Sequence, residues 1–227
     1  MTEPLQETER PALEEIRVLL VDDHDLFRTG LRTLLEEQSV QIVGEAAAGA
    51  EAVRLVRELA PDVVVMDLNM PGITGVEATR QITAVAPLTR VLVLTISDQD
   101  ADVMDAILAG ACGYLLKDSS IQELMRGIEA AGAGESIVSP TIAAKVLQRV
   151  RASSSQPEIE KTIRAELSDR EIEVLKLIAN GKDNAMIAAE LHISPKTVKN
   201  HISNILMKLQ IDNRIQAAVY AVRSGIV

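Results

Sequence analysis

Two hydrophobic patterns alternate from Ile16 to Gly132. Short, nearly unbroken apolar runs rich in valine, leucine and isoleucine fall at 16–21, about 41–47, 62–66, 90–95 and 113–116. Between them, apolar residues recur three and four apart in Leu26–Glu37, Ala50–Leu59, Val76–Val85, Gln99–Ala109 and Ile121–Ala131. Nearly continuous apolar runs predict strands covered on both faces, which is the habit of parallel sheets, and the longer spacing predicts amphipathic helices. Strict alternation of the two predicts an α/β domain with five parallel strands and helices on both sides.

The pattern changes after Ser139-Pro140. A helical stretch is predicted at 141–151, followed by Ala-Ser-Ser-Ser-Gln-Pro-Glu (152–158), the composition of a flexible linker. Beyond it only helical signals remain, at Ser168–Asn180, Asn184–Leu191, Pro195–Leu209 and Arg214–Ser224. Ser168 with Glu171 three residues on forms a capping box, and Gly181 is placed to end that helix. Ser194 is a good N-cap and Pro195 a good first helical residue. In the helix they start, Val198, Ile202, Ile205 and Leu209 share the inner face, leaving Lys196, Lys199, Asn200, Ser203 and Asn204 outside. The expected organisation is an α/β domain at 14–133, a linker at 134–163 and a four-helix all-α domain at 164–227.

Composition sharpens this division. The net charge of −10 argues against a protein that coats nucleic acid indiscriminately. Residues 160–227, however, carry ten Lys/Arg against eight Asp/Glu, or +2, whereas the preceding part carries 13 against 25, or −12. Two modules with different partners are implied. Phe27, Tyr114 and Tyr220 are the only aromatics, so base stacking on aromatic platforms is not available. Cys112 is the single cysteine and is expected to pack as a small apolar residue, in a reducing compartment. No run of about eighteen apolar residues predicts a membrane span. The acidic, polar start Met1–Arg10 lacks the composition of a signal peptide, so the expected location is cytoplasmic.

The chemistry sits where the strands end. A sheet of this flavodoxin-like, doubly wound kind forms its site at the carboxyl edge. There Asp22-Asp23 closes the first run and Asp67 the third. Three acids so crowded repel one another unless a hard cation sits between them, and magnesium suits that place. Thr95 and Lys117 end the fourth and fifth runs, where a hydroxyl and an ammonium can hold the oxygens of a phosphoryl group on Asp67. Asp22, Asp23, Asp67, Met70-Pro71-Gly72, Thr95, Tyr114 and Lys117 stand in the order and spacing of a response-regulator receiver domain, which residues 16–133 resemble. The resemblance implies that a histidine kinase supplies a phosphoryl group to Asp67. It further implies Mg2+ on Asp22, Asp23, Asp67 and the backbone carbonyl of Asn69, with Lys117 adding positive charge. Thr95 and Tyr114 become switch residues: Thr95 turns inward and Tyr114 follows it. Asn69 and Ser97 are implied to tune the phosphoryl lifetime, and His24 reads as an exposed loop residue.

The outward face of 195–209 offers the donors that a major-groove helix needs: lysine for phosphates or guanine, asparagine for adenine, serine for either. Leu-Ser-Asp-Arg-Glu (167–171), Glu-Val-Leu-Lys-Leu-Ile-Ala (173–179), Ile-Ser-Pro-Lys-Thr-Val-Lys (193–199) and Lys-Leu (208–209) resemble the LuxR-type helix-turn-helix of the NarL/FixJ response regulators. Expected DNA contacts are Ser194, Lys196, Thr197, Lys199, Asn200, Ser203, Asn204 and Lys208, with Ser203 standing where some relatives carry a basic residue. His201 is expected to be partly exposed. The resemblance implies a regulator of transcription, not an enzyme, that binds promoter DNA as a homodimer on phosphorylation. In such proteins the receiver can cover the recognition helix or hold the output domain in a non-dimerising pose. The small-residue face of 214–224 suits helix pairing, and core packing explains part of it as well. Two other readings remain open: a phosphotransfer enzyme acting on small molecules, and a protein-interaction module whose binding is indifferent to salt.

Overall fold

The computed structural model describes residues 16–97, 100–138, 163 and 166–226. The first module runs β1 (Arg17–Val21), α1 (Asp25–Glu37), β2 (Gln41–Ala46), α2 (Gly49–Leu59), β3 (Val63–Met66), α3 (Gly75–Val85), β4 (Arg90–Thr95), α4 (Asp100–Leu108), β5 (Gly113–Leu116), α5 (Ile121–Gly132) and β6 (Ile137–Val138). All strand pairs are parallel, in the order β2-β1-β3-β4-β5-β6. The chain reverses direction across the sheet between β1 and β3, which puts a crevice at their carboxyl ends.

The two-residue alternation of a strand sorts the core. Val18, Leu20, Val63 and Val65 pack with Leu31 and Leu35 of α1 and Leu124 and Ile128 of α5. Their neighbours Leu19, Val21, Val64 and Met66 pack with Ala52 and Val56 of α2 and Ala78 and Ile82 of α3. Burial on both faces is why these strands read as continuous apolar runs. β6 adds a sixth strand to the five expected. It pairs Ile137 with Gly113 and Val138 with Tyr114, and two residues are too few to leave a periodic signature. The helix expected at 141–151 and the linker at 152–158 lie outside the described residues.

The second module comprises α6 (Asp169–Ala179), α7 (Asn184–Leu191), α8 (Pro195–Leu209) and α9 (Arg214–Ser224). Ser168 and Glu171 form the expected capping box, and Ser194 accepts from the Thr197 N–H to start α8. Val198, Ile205 and Leu209 are buried and Ile202 is half-buried against them, as the spacing predicts. Cys112 is buried, and desolvation pushes its thiol up to about 12, so it packs as an apolar side chain.

One glycine positions the site. A Cβ on Gly75, at the start of α3, would stand 2.0 Å from the Asp67 carbonyl oxygen and 2.7 Å from the Leu68 Cα. Backbone cannot yield as a flexible side chain can, so α3 approaches the Asp67 loop this closely only because residue 75 has no side chain. Gly75→Ala is expected to destabilise the module by about 1–3 kcal/mol, read as a lower urea midpoint at constant slope. An unchanged midpoint would show that the loop accommodates the methyl group.

Candidate functional site

Asp22 and Asp67 are buried at the ends of β1 and β3, and Asp23 is half-buried beside them. The Lys117 ammonium, brought in by the turn after β5, lies 2.6 Å from Asp22 Oδ2 and donates to Asp67 Oδ2 at 2.7 Å. It also stands 4.5 Å from the centre of the Phe27 ring. Burial works against the lysine's charge, but hydrogen bonds and attraction from Asp22 and Asp67 outweigh it, so its pKa is raised. Lys117 therefore stays an ammonium.

Ligand-capable atoms of Asp22, Asp23, His24 and Asp67 lie within 4.8 Å of one another. Asp23 Oδ1 is buried and accepts no hydrogen bond, although His24 Nδ1 lies 2.9 Å away. An acidic oxygen left in this way among other carboxylate oxygens fits a hard divalent cation. His24 caps α1 and is largely exposed, and its N–H donates to Asp22 Oδ1 at 2.9 Å.

Asn69 is exposed, and its N–H lies 3.4 Å from Asp67 Oδ1. Its side-chain amide reaches the buried Thr95 hydroxyl at 3.5 Å, which ties the end of β4 to the Asp67 loop. The Tyr114 ring is already fully enclosed, and its hydroxyl donates to the Ser97 carbonyl at 2.8 Å. Ser97 also bonds through its hydroxyl to Asp102 in α4. The β4–α4 connection is thus held from Thr95, Tyr114 and Asp102 together.

In the second module, Ser194, Lys196, Lys199, Asn200, Ser203 and Asn204 are exposed along α8, with Thr197 half-buried at its start and His201 half-buried further along. Lys208 is exposed but engaged: it donates to both carboxylate oxygens of Glu171, at 3.0 and 2.7 Å, and so braces α8 against α6. Lys199 pairs with Glu135, between α5 and β6 of the first module, at 2.9 Å. Sequence reasoning missed Glu135 and Phe27, whose contacts join distant segments and leave no local pattern, and it also passed over the local N-caps Asp183 and Asn213.

Among solved and characterised proteins, residues 18–129 match the response regulator receiver domain family, and residues 165–221 match the luxR family of bacterial regulatory proteins. The chain belongs to the response regulators of two-component systems that carry a LuxR-type DNA-binding module. It is 47% identical over 213 residues to the transcriptional regulatory protein LiaR of Bacillus subtilis (strain 168), covering 93% of this chain and 99% of that protein. The crystal structure of the response regulator ChrA of a heme-sensing two-component system is 38% identical, with a TM-score of 0.52 over 95% of this chain and 100% of that one. RcsB, solved as two dimers bound to two parallel DNAs, is 26% identical, with a TM-score of 0.55 over 92% and 98% of the two chains. The family regulates transcription. Among the described residues no helix is long and apolar enough to cross a membrane.

The brace between Lys208 and Glu171 has a pH signature. Burial raises the Glu171 carboxyl, but Lys208 and the Ser168 N–H and hydroxyl outweigh it, leaving the carboxyl below its ordinary value. A depressed folded value contributes stability that is complete above the ordinary carboxylate range and is lost as pH falls through the folded value. Thermal unfolding of the full chain is expected to show the α6–α8 unit weakening in acid, with Glu171→Gln flattening that limb. Parallel acid limbs in wild type and variant would remove Glu171 as the cause.

Proposed function

We propose that this chain is a cytoplasmic, phosphorylation-dependent DNA-binding regulator that accepts a phosphoryl group from a histidine kinase on Asp67. The observation that carries the reading is the Lys117 ammonium held between Asp22 and Asp67 at the carboxyl edge of the sheet. An Asp67 oxygen attacks phosphorus, the phosphorus–nitrogen bond of the kinase phosphohistidine breaks, and the imidazole leaves with its electron pair. Lys117 supplies positive charge where the phosphoryl oxygens gather, and the buried walls keep it unscreened. Asp22, Asp23, Asp67 and the Asn69 carbonyl would hold Mg2+, which supplies neutralisation of charge as the phosphoryl group moves. Thr95, Tyr114 and Ser97 then carry the change into α4. The domain limits 14–133, 134–163 and 164–227 describe the units of this relay.

Asp67→Asn is expected to abolish labelling by acetyl phosphate, and a chelator is expected to do the same to wild type. Undiminished labelling of the variant would place the acceptor elsewhere.

DNA reading is assigned to α8. Its exposed Lys196, Lys199, Asn200, Ser203 and Asn204 share one side of a helix whose opposite side is core. Ser194 and Thr197 present the helix N-terminus, which favours phosphate. Lys208 serves the fold first and reaches a phosphate only by leaving Glu171. RcsB's solved DNA-bound dimers support a dimeric DNA complex here, built on paired half-sites. Lys199→Ala is expected to weaken binding to a promoter fragment and to lower the slope of log affinity against log salt by about one. If a folded variant keeps both affinity and slope, α8 is not the reader.

A further inference from the structure

Asp23 Oδ1 is buried beside the other carboxylates of the site and accepts no hydrogen bond, so repulsion from Asp22 and Asp67 works to turn it outward. Its aim is then set by the backbone that carries it. The peptide joining Asp22 to Asp23 is held by its carbonyl oxygen, to which Arg28 Nη1 donates at 2.5 Å. The same guanidinium donates through Nη2 to Asp25 Oδ1 at 2.6 Å and through Nε to Glu45 Oε2 at 3.0 Å. With all three nitrogens engaged and the side chain only 13% exposed, the planar fork is fixed in one place.

Three elements meet at that fork. Arg28 stands in the first turn of α1, its N–H bonded to the His24 carbonyl at 3.0 Å, and a helical side chain there reaches back over the preceding loop. Glu45 comes from β2, whose register sets it beside Leu20 of β1, two residues before Asp22. Its other oxygen accepts from Arg32, one turn further along α1, at 2.7 Å. Hydrogen bonds from Arg32 and then Arg28 outweigh burial and hold the Glu45 carboxyl below its ordinary value, so it stays ionised against the guanidinium. The charge of Arg28 and its bonds act on a nearby cation site with opposite signs. Positive charge repels a cation, so losing the charge alone would tighten cation binding, whereas losing the bonds would loosen it.

We propose that Arg28, held by Glu45, is a positioning residue for the acid pair: through the Asp22 carbonyl it keeps the Asp23 carboxylate aimed for a divalent cation. The proposal rests on Asp22, Asp23 and Asp67 being the Mg2+ site. Arg28 touches neither the cation nor the phosphoryl group, and its effect reaches the reaction as metal affinity alone. Partners that orient metal ligands are worth about 10–100-fold in affinity. A bound cation itself attracts Asp23, so phosphoryl transfer at saturating Mg2+ does not need Arg28.

Calorimetric titration of the full-length, unphosphorylated chain with Mg2+ reads this without any turnover. Arg28→Met keeps the length of the stem and removes every donor, and it is expected to raise the Mg2+ dissociation constant about tenfold or more. Acetyl phosphate labelling of Asp67 is then expected to need correspondingly more Mg2+ for half its maximal rate and to reach the wild-type rate at saturation. Arg28→Lys keeps the charge and one donor and is expected to recover part of the affinity. A merely structural ion pair would lower the urea midpoint and leave the Mg2+ affinity of the folded variant as in wild type. That result would overturn the proposal, and so would tighter binding in Arg28→Met. If Arg28→Met does not fold, Arg28→Lys carries the test: weaker binding at unchanged charge supports positioning, and wild-type affinity overturns it. A wild-type chain that binds no Mg2+, or binds it no better than Asp23→Asn, would overturn the acid site itself and the positioning role with it.

Discussion

Asp22 and Asp67 are almost wholly removed from water at the point where the sheet changes direction. Two unit charges about 4 Å apart in an effective dielectric near 20 repel by about 4 kcal/mol, and burial adds a desolvation cost to each. The Lys117 ammonium between them offsets both, and it can sit there only because β5 delivers it over Phe27 to the same edge. A phosphoryl group on Asp67 would alter this balance of charge. The same lysine would then face phosphate oxygens, and the buried Thr95 hydroxyl, tied to Asn69, would be a neutral group able to follow.

What that rearrangement moves is set by packing. Thr95, Ser97 and Tyr114 hold the β4–α4 connection in one bonded group, while α3 is held against the Asp67 loop by the absence of a side chain at Gly75. One side of the site is therefore stiff. The other is joined by hydrogen bonds that can be exchanged, and α4, on that side, is the helix on which the DNA-binding module rests. The hydrophobic cluster that includes Val103, Met104, Ile107 and Tyr114 continues into α6–α9, so the two modules share apolar surface as well as hydrogen bonds.

The strands and helices were legible because β-branched runs and helical spacing are local properties. β3 is four buried residues, Val63–Met66, and needs no partner to be recognised. The convergence of Asp22, Asp67 and Lys117 was legible for a related reason, since parallel strands ending in polar residues must bring those residues to one edge. β6 escaped because two residues carry no period. Lys208 was read as a DNA contact because an exposed lysine on a recognition helix has that character, and only the fold reveals Glu171 beneath it. Asn213 and Gln216 were not singled out in the sequence. Their amide nitrogens donate to backbone carbonyls more than one hundred positions away, and no pattern of side chains records such a bond.

The central proposal is that a phosphoryl group on Asp67 controls how tightly α8 binds DNA. The most direct measurement is the salt dependence of binding to a promoter fragment selected from genomic DNA, for the wild-type protein before and after phosphorylation. The account predicts tighter binding after phosphorylation and a steeper slope of log affinity against log salt. Each released Lys199 adds about one phosphate contact, and pairing adds those of a second module. Equal affinities with equal slopes in the two states would contradict it.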